Sequence, residues 1–180
     1  MTCIVGLISG GRVYMGADSA GVDGLNIVVM TNPKLFRVGD MVIGFTTSFR
    51  MGQLLAYGFT PPKRNPAEDV MAWMVTEFVE AVRARFKQFG FTEIVNNRET
   101  GGRFLVGVAG RLFQIEGDFQ VAETEGNKMA IGCGAPYALG SMFATDGTYL
   151  SPMSRVVDAL EAARCFSAGV RPPWVTMEIG

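Results

Sequence analysis

Three residues pose the chemical question: Thr2, Asp18 and Lys34, a hydroxyl, a carboxylate and an ammonium set sixteen positions apart in succession. The chain contains no histidine. That excludes Ser-His-Asp and Cys-His catalysis and histidine-based zinc sites. A general base working near neutral pH must then be a perturbed lysine, a carboxylate raised by burial, a thiolate, or the α-amino group, whose ordinary pKa is about 7.7–8.0. The amine needs no special environment. Thr2 follows Met1, and a small second residue permits removal of the initiator methionine, which would leave a threonine carrying hydroxyl and amine together. Such an amine is a tethered base for its own hydroxyl.

The elements around these residues decide whether they meet. Cys3 to Ile8 and Val13 to Ala17 are apolar runs flanking Ser9-Gly10-Gly11-Arg12, where glycine supplies the positive φ of a tight turn. A hairpin turning at Gly10-Gly11 sets the start of the chain beside residues 18 and 19, to within one residue of register. Taken singly, Asp18 in Gly16-Ala17-Asp18-Ser19 reads as a turn carboxylate, and Lys34 after Asn32-Pro33 as a solvated hairpin lysine. Taken together they have a use. An ammonium near Thr2 favours the neutral amine, and a carboxylate holds that ammonium in place.

The rest of the chain reads as α+β. Asn26 to Met30 and Lys34 to Val38 are expected to pair across Thr31-Asn32-Pro33, and Gly39-Asp40 turns the chain into Met41 to Thr46. A long helix is expected from Asn65-Pro66 to Gly90, with Val70, Trp73, Met74, Ala81, Val82 and Phe86 on one face. Thr92 to Gly102 reads as a loop, and strands follow at Arg103 to Ala109, Leu112 to Glu116 and Phe119 to Val121. Helices are expected over 135–144 and over 152–166, the second capped by Ser151, and Trp174 to Ile179 closes as a strand. With 180 residues, 48% of them apolar, and neither repeat nor linker, the chain reads as one domain over 1–180.

Sixteen basic and seventeen acidic residues leave a net charge of −1 without a charged block, so neither nucleic acid nor an anionic membrane is an expected partner. Cys3, Cys133 and Cys165 have neither metal-cluster spacing nor the even count of a secreted disulfide framework. The start of the chain does not read as a signal peptide, and a reducing cytoplasm is the expected location. No metal or cofactor is expected.

The spacing of Thr2, Asp18 and Lys34, the opening Thr2-Cys3-Ile4-Val5 strand and the Val42-Ile43-Gly44-Phe45 strand resemble the proteasome β-subunits and bacterial HslV-type peptidases, which are N-terminal-nucleophile hydrolases. The resemblance returns in Gly132-Cys133-Gly134, similar to that family's Gly-Ser-Gly, and in Arg164-Cys165-Phe166-Ser167-Ala168-Gly169. It implies a four-layer αββα sandwich, two antiparallel sheets flanked by helices. It also implies Thr2 Oγ1 as nucleophile, its amine as base, and Lys34 held by Asp18. Peptide or amide hydrolysis through an acyl-Thr2 intermediate is the implied activity. A peptide or protein substrate, a homo-oligomeric ring and an ATP-dependent unfoldase are the implied partners.

Three positions depart from the pattern. Thr46-Thr47-Ser48 stands where the family has Ala-Gly-Gly, so the oxyanion-hole N–H would come from a β-branched Thr47. Cys133 stands for a serine, while Ser167 keeps the family's hydroxyl and its bond toward the Thr2 amine. Arg164 takes the place of an acid, either depressing the amine's pKa further or pointing to solvent at a helix end. These departures motivate a second reading, a catalytically silent ring or scaffold subunit on the same fold. A third keeps the chemistry but passes the acyl group to an amine.

Overall fold

The computed structural model describes residues 1–180, apart from the side chains of Val95 and Arg98. Strands β1 (Cys3–Ser9) and β2 (Arg12–Ala17) form the first hairpin. Gly10 and Gly11 turn it at φ 57° and 74°, a region that a Cβ makes costly. Two further pairs follow, β3 (Ala20–Asp23) with β4 (Asn26–Val29), and β5 (Leu35–Val38) with β6 (Met41–Phe45). The expected pairing of 26–30 with 34–38 is therefore not made. The Gly39-Asp40 turn gives β5 a partner six residues away, and β4 folds back on β3 instead.

Helix α1 (Phe49–Gly58) is capped by Ser48, whose Oγ accepts from the N–H groups of Arg50 and Met51. It has no counterpart in the sequence reading. The expected long helix is built from α2 (Val70–Trp73), a π turn over Met74–Phe78, and α3 (Val79–Gln88). It starts at Asp69 rather than Asn65, because Asp69 Oδ1 accepts from the Ala72 N–H while Asn65 Oδ1 closes a separate turn on Ala67. The expected loop of residues 92–102 contains a small ribbon, β7 (Glu93–Val95) with β8 (Arg98–Thr100). Then come β9 (Phe104–Val108), β10 (Arg111–Ile115), β11 (Val121–Glu123) and β12 (Lys128–Gly132). Phe119, at φ 67°, belongs to the turn before β11. The chain ends with α4 (Ala135–Ala144), α5 (Pro152–Phe166) and β13 (Val175–Ile179).

One sheet has the order β12-β1-β2-β13 and the other β11-β10-β9-β6-β5. Their facing sides bury Ile4, Val13, Met15, Leu35, Val42 and Leu105 between them. Helices α4 and α5 cover the outer face of the first sheet through Val5, Leu7, Met142 and Leu160. Helices α1, α2 and α3 cover the second through Ile43, Leu55, Trp73, Phe78 and Phe104. The result is the αββα sandwich. Both sheets reach the site by strand ends, the start of β1 and end of β2 from one, the start of β5 and end of β6 from the other.

Candidate active site

Because Ile4 pairs with Ala17, the next residues out, Cys3 and Asp18, face each other at the open end of the hairpin. Asp18 N–H donates to Cys3 O at 3.2 Å, and Cys3 N–H donates to Asp18 Oδ1 at 2.9 Å. Asp18 Oδ2 accepts from the N–H of Ala20 at 2.9 Å and of Arg171 at 3.5 Å. The carboxylate is thus fixed by backbone from three segments. Lys34 lies just before β5, its carbonyl held by Phe45 N–H at 2.9 Å. Its Nζ donates to Asp18 Oδ1 at 2.9 Å, with the lysine 1% and the aspartate 0% exposed.

That ion pair bridges the two sheets beside Thr2. Lys34 Nζ also lies 3.5 Å from Met1 O, the carbonyl joined to the Thr2 nitrogen, and 5.8 Å from the centre of the Phe49 ring. Burial pushes the ammonium below its ordinary value of 10.5, against the pull of Asp18. Thr2 is 4% exposed. Its Oγ1 donates to Met1 O, the same oxygen that Lys34 reaches, and its N–H donates to Cys133 Sγ at 3.3 Å.

Gly132 ends β12 at φ 95°, and a Cβ there would fall 2.1 Å from Thr2 O. Only glycine lets the two backbones come this close. The close approach brings Cys133 against Thr2, and Gly134 N–H donates to Thr2 O at 3.3 Å. Ser167, just after α5, donates to Cys133 Sγ at 3.2 Å. The sulfur therefore stands where the sequence reading placed a direct bond from Ser167 to the Thr2 nitrogen. Arg164 pairs with Glu161 at 2.7 Å on the exposed side of α5, so of its two readings the solvent-facing one describes it.

Thr47 sits at φ 75°, in the left-handed region, despite its branched Cβ. The conformation open to the family's glycine is thus adopted by threonine, held by Arg103 N–H donating to Thr47 Oγ1 at 3.3 Å. Among the described residues the Thr47 N–H has no protein acceptor. Thr47 lines a cleft of about 40 Å³ with Met1, Thr2, Lys34 and Phe49. Phe45 and Phe49 also wall a neighbouring cavity of about 210 Å³, where Phe36, Ala56 and Tyr57 join them.

The structure thus gathers Thr2, Asp18, Lys34, Thr47, Cys133 and Ser167 around one point. Sequence reasoning missed Phe49 and the backbone N–H groups of Ala20 and Arg171. Recognising Ser48 as a helix cap would have pointed to Phe49; nothing local marks Arg171.

Of the three cysteines, Cys3 differs from the other two. Cys3 is fully buried, and burial pushes its thiol well above the ordinary 9.0, with the Asp18 charge adding to the effect. Cys133 and Cys165 are exposed. Alkylation of the folded chain with iodoacetamide at mildly alkaline pH is expected to add two groups, and alkylation in denaturant three, by intact mass.

Among the described residues no cluster of three His, Cys, Asp or Glu side chains is placed to hold a metal ion. Among the described residues no helix is long and apolar enough to cross a membrane.

No protein-family model matches the sequence, and no curated protein matches it. Solved structures do match. The Thiobacillus denitrificans BPH structure in complex with epoxomicin superposes with a TM-score of 0.83 at 22% identity, covering 99% of this chain and 98% of that one. Eukaryotic HslV from Trypanosoma brucei gives 0.71 at 20% identity over 98% of both chains. Anbu, an ancestral β-subunit from Yersinia bercovieri, gives 0.67 at 18% identity, over 99% of this chain and 81% of that one. All three are proteasome-type, and the chain has the proteasome-type N-terminal-nucleophile hydrolase fold from end to end.

Proposed function

We propose that this chain is a threonine-type N-terminal-nucleophile amidohydrolase that cleaves peptide bonds once Met1 has been removed. The observation that carries this reading is the buried Lys34–Asp18 pair, with its ammonium 3.5 Å from the carbonyl carbon's oxygen at the Thr2 nitrogen. An ammonium buried there disfavours a second positive charge on the freed amine, so the amine stays neutral and takes the Thr2 Oγ1 proton. Oγ1 attacks the substrate carbonyl carbon, and the oxyanion accepts from the Thr47 N–H. The amine returns its proton to the leaving amine, the C–N bond breaks, and an acyl-Thr2 ester remains. Water, deprotonated by the same amine, then releases the acid and restores Oγ1–H.

The cavity walled by Phe36, Phe45 and Phe49 fits an apolar side chain on the acyl side of the cleaved bond. The exposed Leu25, Val28 and Val29 of the β3–β4 ribbon, and Phe143 on α4, support assembly into a homo-oligomer.

Incubation with epoxomicin, the compound bound to the Thiobacillus structure, is the direct test. The mature chain is expected to lack the mass of Met1 and to gain the mass of one inhibitor on the peptide beginning at Thr2. Retained Met1 in chain purified from its own cells, or a Met1-free chain that takes up no inhibitor, would favour the silent-subunit reading motivated by Thr46-Thr47-Ser48.

A further inference from the structure

The residue ahead of Thr2 is held by the fold. Met1 and Thr2 share a peptide unit whose two polar atoms are both bonded. Its oxygen accepts from Thr2 Oγ1 and from Lys34 Nζ at 3.5 Å, and its nitrogen donates to Cys133 Sγ at 3.3 Å. Met1 itself is 55% exposed, but Thr2 is only 4% exposed, so the bond that joins them runs into the protein.

The Met1 side chain has a seat of its own. A Cβ added at Gly169 would meet Met1 Sδ at 2.8 Å, its Cγ at 2.9 Å and its Cβ nearer still, and these are the three nearest atoms. Gly169 is not among the glycines at positive φ, so its backbone suits alanine and the obstacle to a side chain is Met1. The seat is anchored at both ends. Ser167 N–H donates to Ala163 O at 2.8 Å, while Arg171 N–H reaches Asp18 Oδ2 at 3.5 Å and Arg171 O accepts from Ser19 N–H at 2.9 Å. The wall on which Met1 rests is thus tied to the carboxylate that holds Lys34.

We propose that Met1 is a cap held by the fold: once segment 167–171 has docked, the Met1–Thr2 bond resists an aminopeptidase, and Met1 leaves only from a chain in which that segment is out of place. In that cleavage the C–N bond breaks, the oxygen of a water molecule joins the Met1 carbonyl carbon, and a proton passes to the Thr2 nitrogen. The aminopeptidase must take the terminal residue and its carbonyl into its own active site. Doing so gives up the bonds to Lys34 and Cys133 together with the seat on Gly169, and the loss of two bonds makes the released form about tenfold or more rarer. Cleavage through a rare open form is slowed by that factor. A chain that folds with Met1 in place therefore stays capped, and the order of processing and folding decides whether the Thr2 amine is freed. None of this depends on the hydrolytic reading, because removal of Met1 is read by mass whether or not Thr2 goes on to react.

The test uses the full chain carrying Met1, produced while the host's methionine aminopeptidase is inhibited and shown to be folded by circular dichroism. It is incubated with purified methionine aminopeptidase or with buffer alone, beside the unstructured peptide of residues 1–4, and loss of Met1 is followed by intact mass. The folded chain is expected to lose Met1 at least about tenfold more slowly than the peptide, and to keep it in buffer. Folded Gly169→Ala, whose Cβ takes the place of the Met1 side chain, should lose Met1 about tenfold faster than the wild type. Loss from the folded wild type as fast as from the peptide, loss in buffer alone, or protection in Gly169→Ala equal to that of the wild type would overturn the proposal. Should Gly169→Ala not fold, Cys133→Ala takes its place, since it removes the acceptor of the Thr2 N–H. Its expected gain is about threefold, and an unchanged rate is the overturning result.

Discussion

Thr2→Ala is expected to remove peptide hydrolysis, lowering turnover by about 10⁴-fold or more, since loss of the nucleophile in a covalent mechanism leaves only binding and oxyanion stabilisation. The fold should survive. Thr2 Oγ1 makes one hydrogen bond, to Met1 O, and its loss costs about 1 kcal/mol at most. Thr2→Ser, which keeps a hydroxyl and an amine on one residue, should retain measurable turnover and epoxomicin labelling. Hydrolysis persisting in Thr2→Ala, with its amino terminus verified by sequencing, would refute the proposed mechanism.

Removing the carboxylate beneath that nucleophile should have the largest effect on stability. Asp18→Ala leaves Lys34 buried without its counter-ion and takes the acceptor from the N–H groups of Cys3, Ala20 and Arg171. Breaking a buried pair from one side costs about 3–5 kcal/mol. For a chain of this size that is a fall of roughly 6–20 °C in Tm. Lys34→Met should cost less, because Asp18 keeps its backbone donors, while abolishing turnover as fully.

Lys34→Met also carries a pH signature. Burial lowers the Lys34 pKa in the folded chain below the ordinary 10.5. Between the lowered value and 10.5 the unfolded chain holds the proton more tightly than the folded one, so stability from this group rises with pH. Cys3, whose thiol is raised by burial, has the opposite sign above 9.0, but both proteins keep it. The stability difference between wild type and Lys34→Met, measured by urea titration across alkaline pH, should therefore shift in favour of the wild type as pH rises. A constant difference would mean that Lys34 titrates as it does in water.

Much of the site could be read from sequence because a tight hairpin is a ruler. Once Gly10-Gly11 is taken as the turn, the residues facing the chain start follow by counting, and the observed Ile4 to Ala17 pairing puts Asp18 one step from Thr2. Lys34 was harder. Its place depends on β5 pairing with β6 in the opposite sheet, which the Gly39-Asp40 turn announces, but the second partner expected for β5, residues 26–30, pairs with β3 instead. Helix α1 was missed because Gly52 and Gly58 break its composition. Gly52 is there so that the helix can lie against Phe45, whose ring would meet a Cβ at 2.1 Å, a packing reason invisible to propensity. The same holds for Thr47: its φ of 75° comes from the tertiary bond to Arg103, which no local pattern encodes.

The Arg171 N–H that reaches Asp18 comes from the last tenth of the chain, and Ser167 stands just before it. A chain translated only as far as the hairpins and the long helix therefore lacks both contacts, and the surroundings of Asp18 and Cys133 are completed only when the last segment folds back onto the first strand.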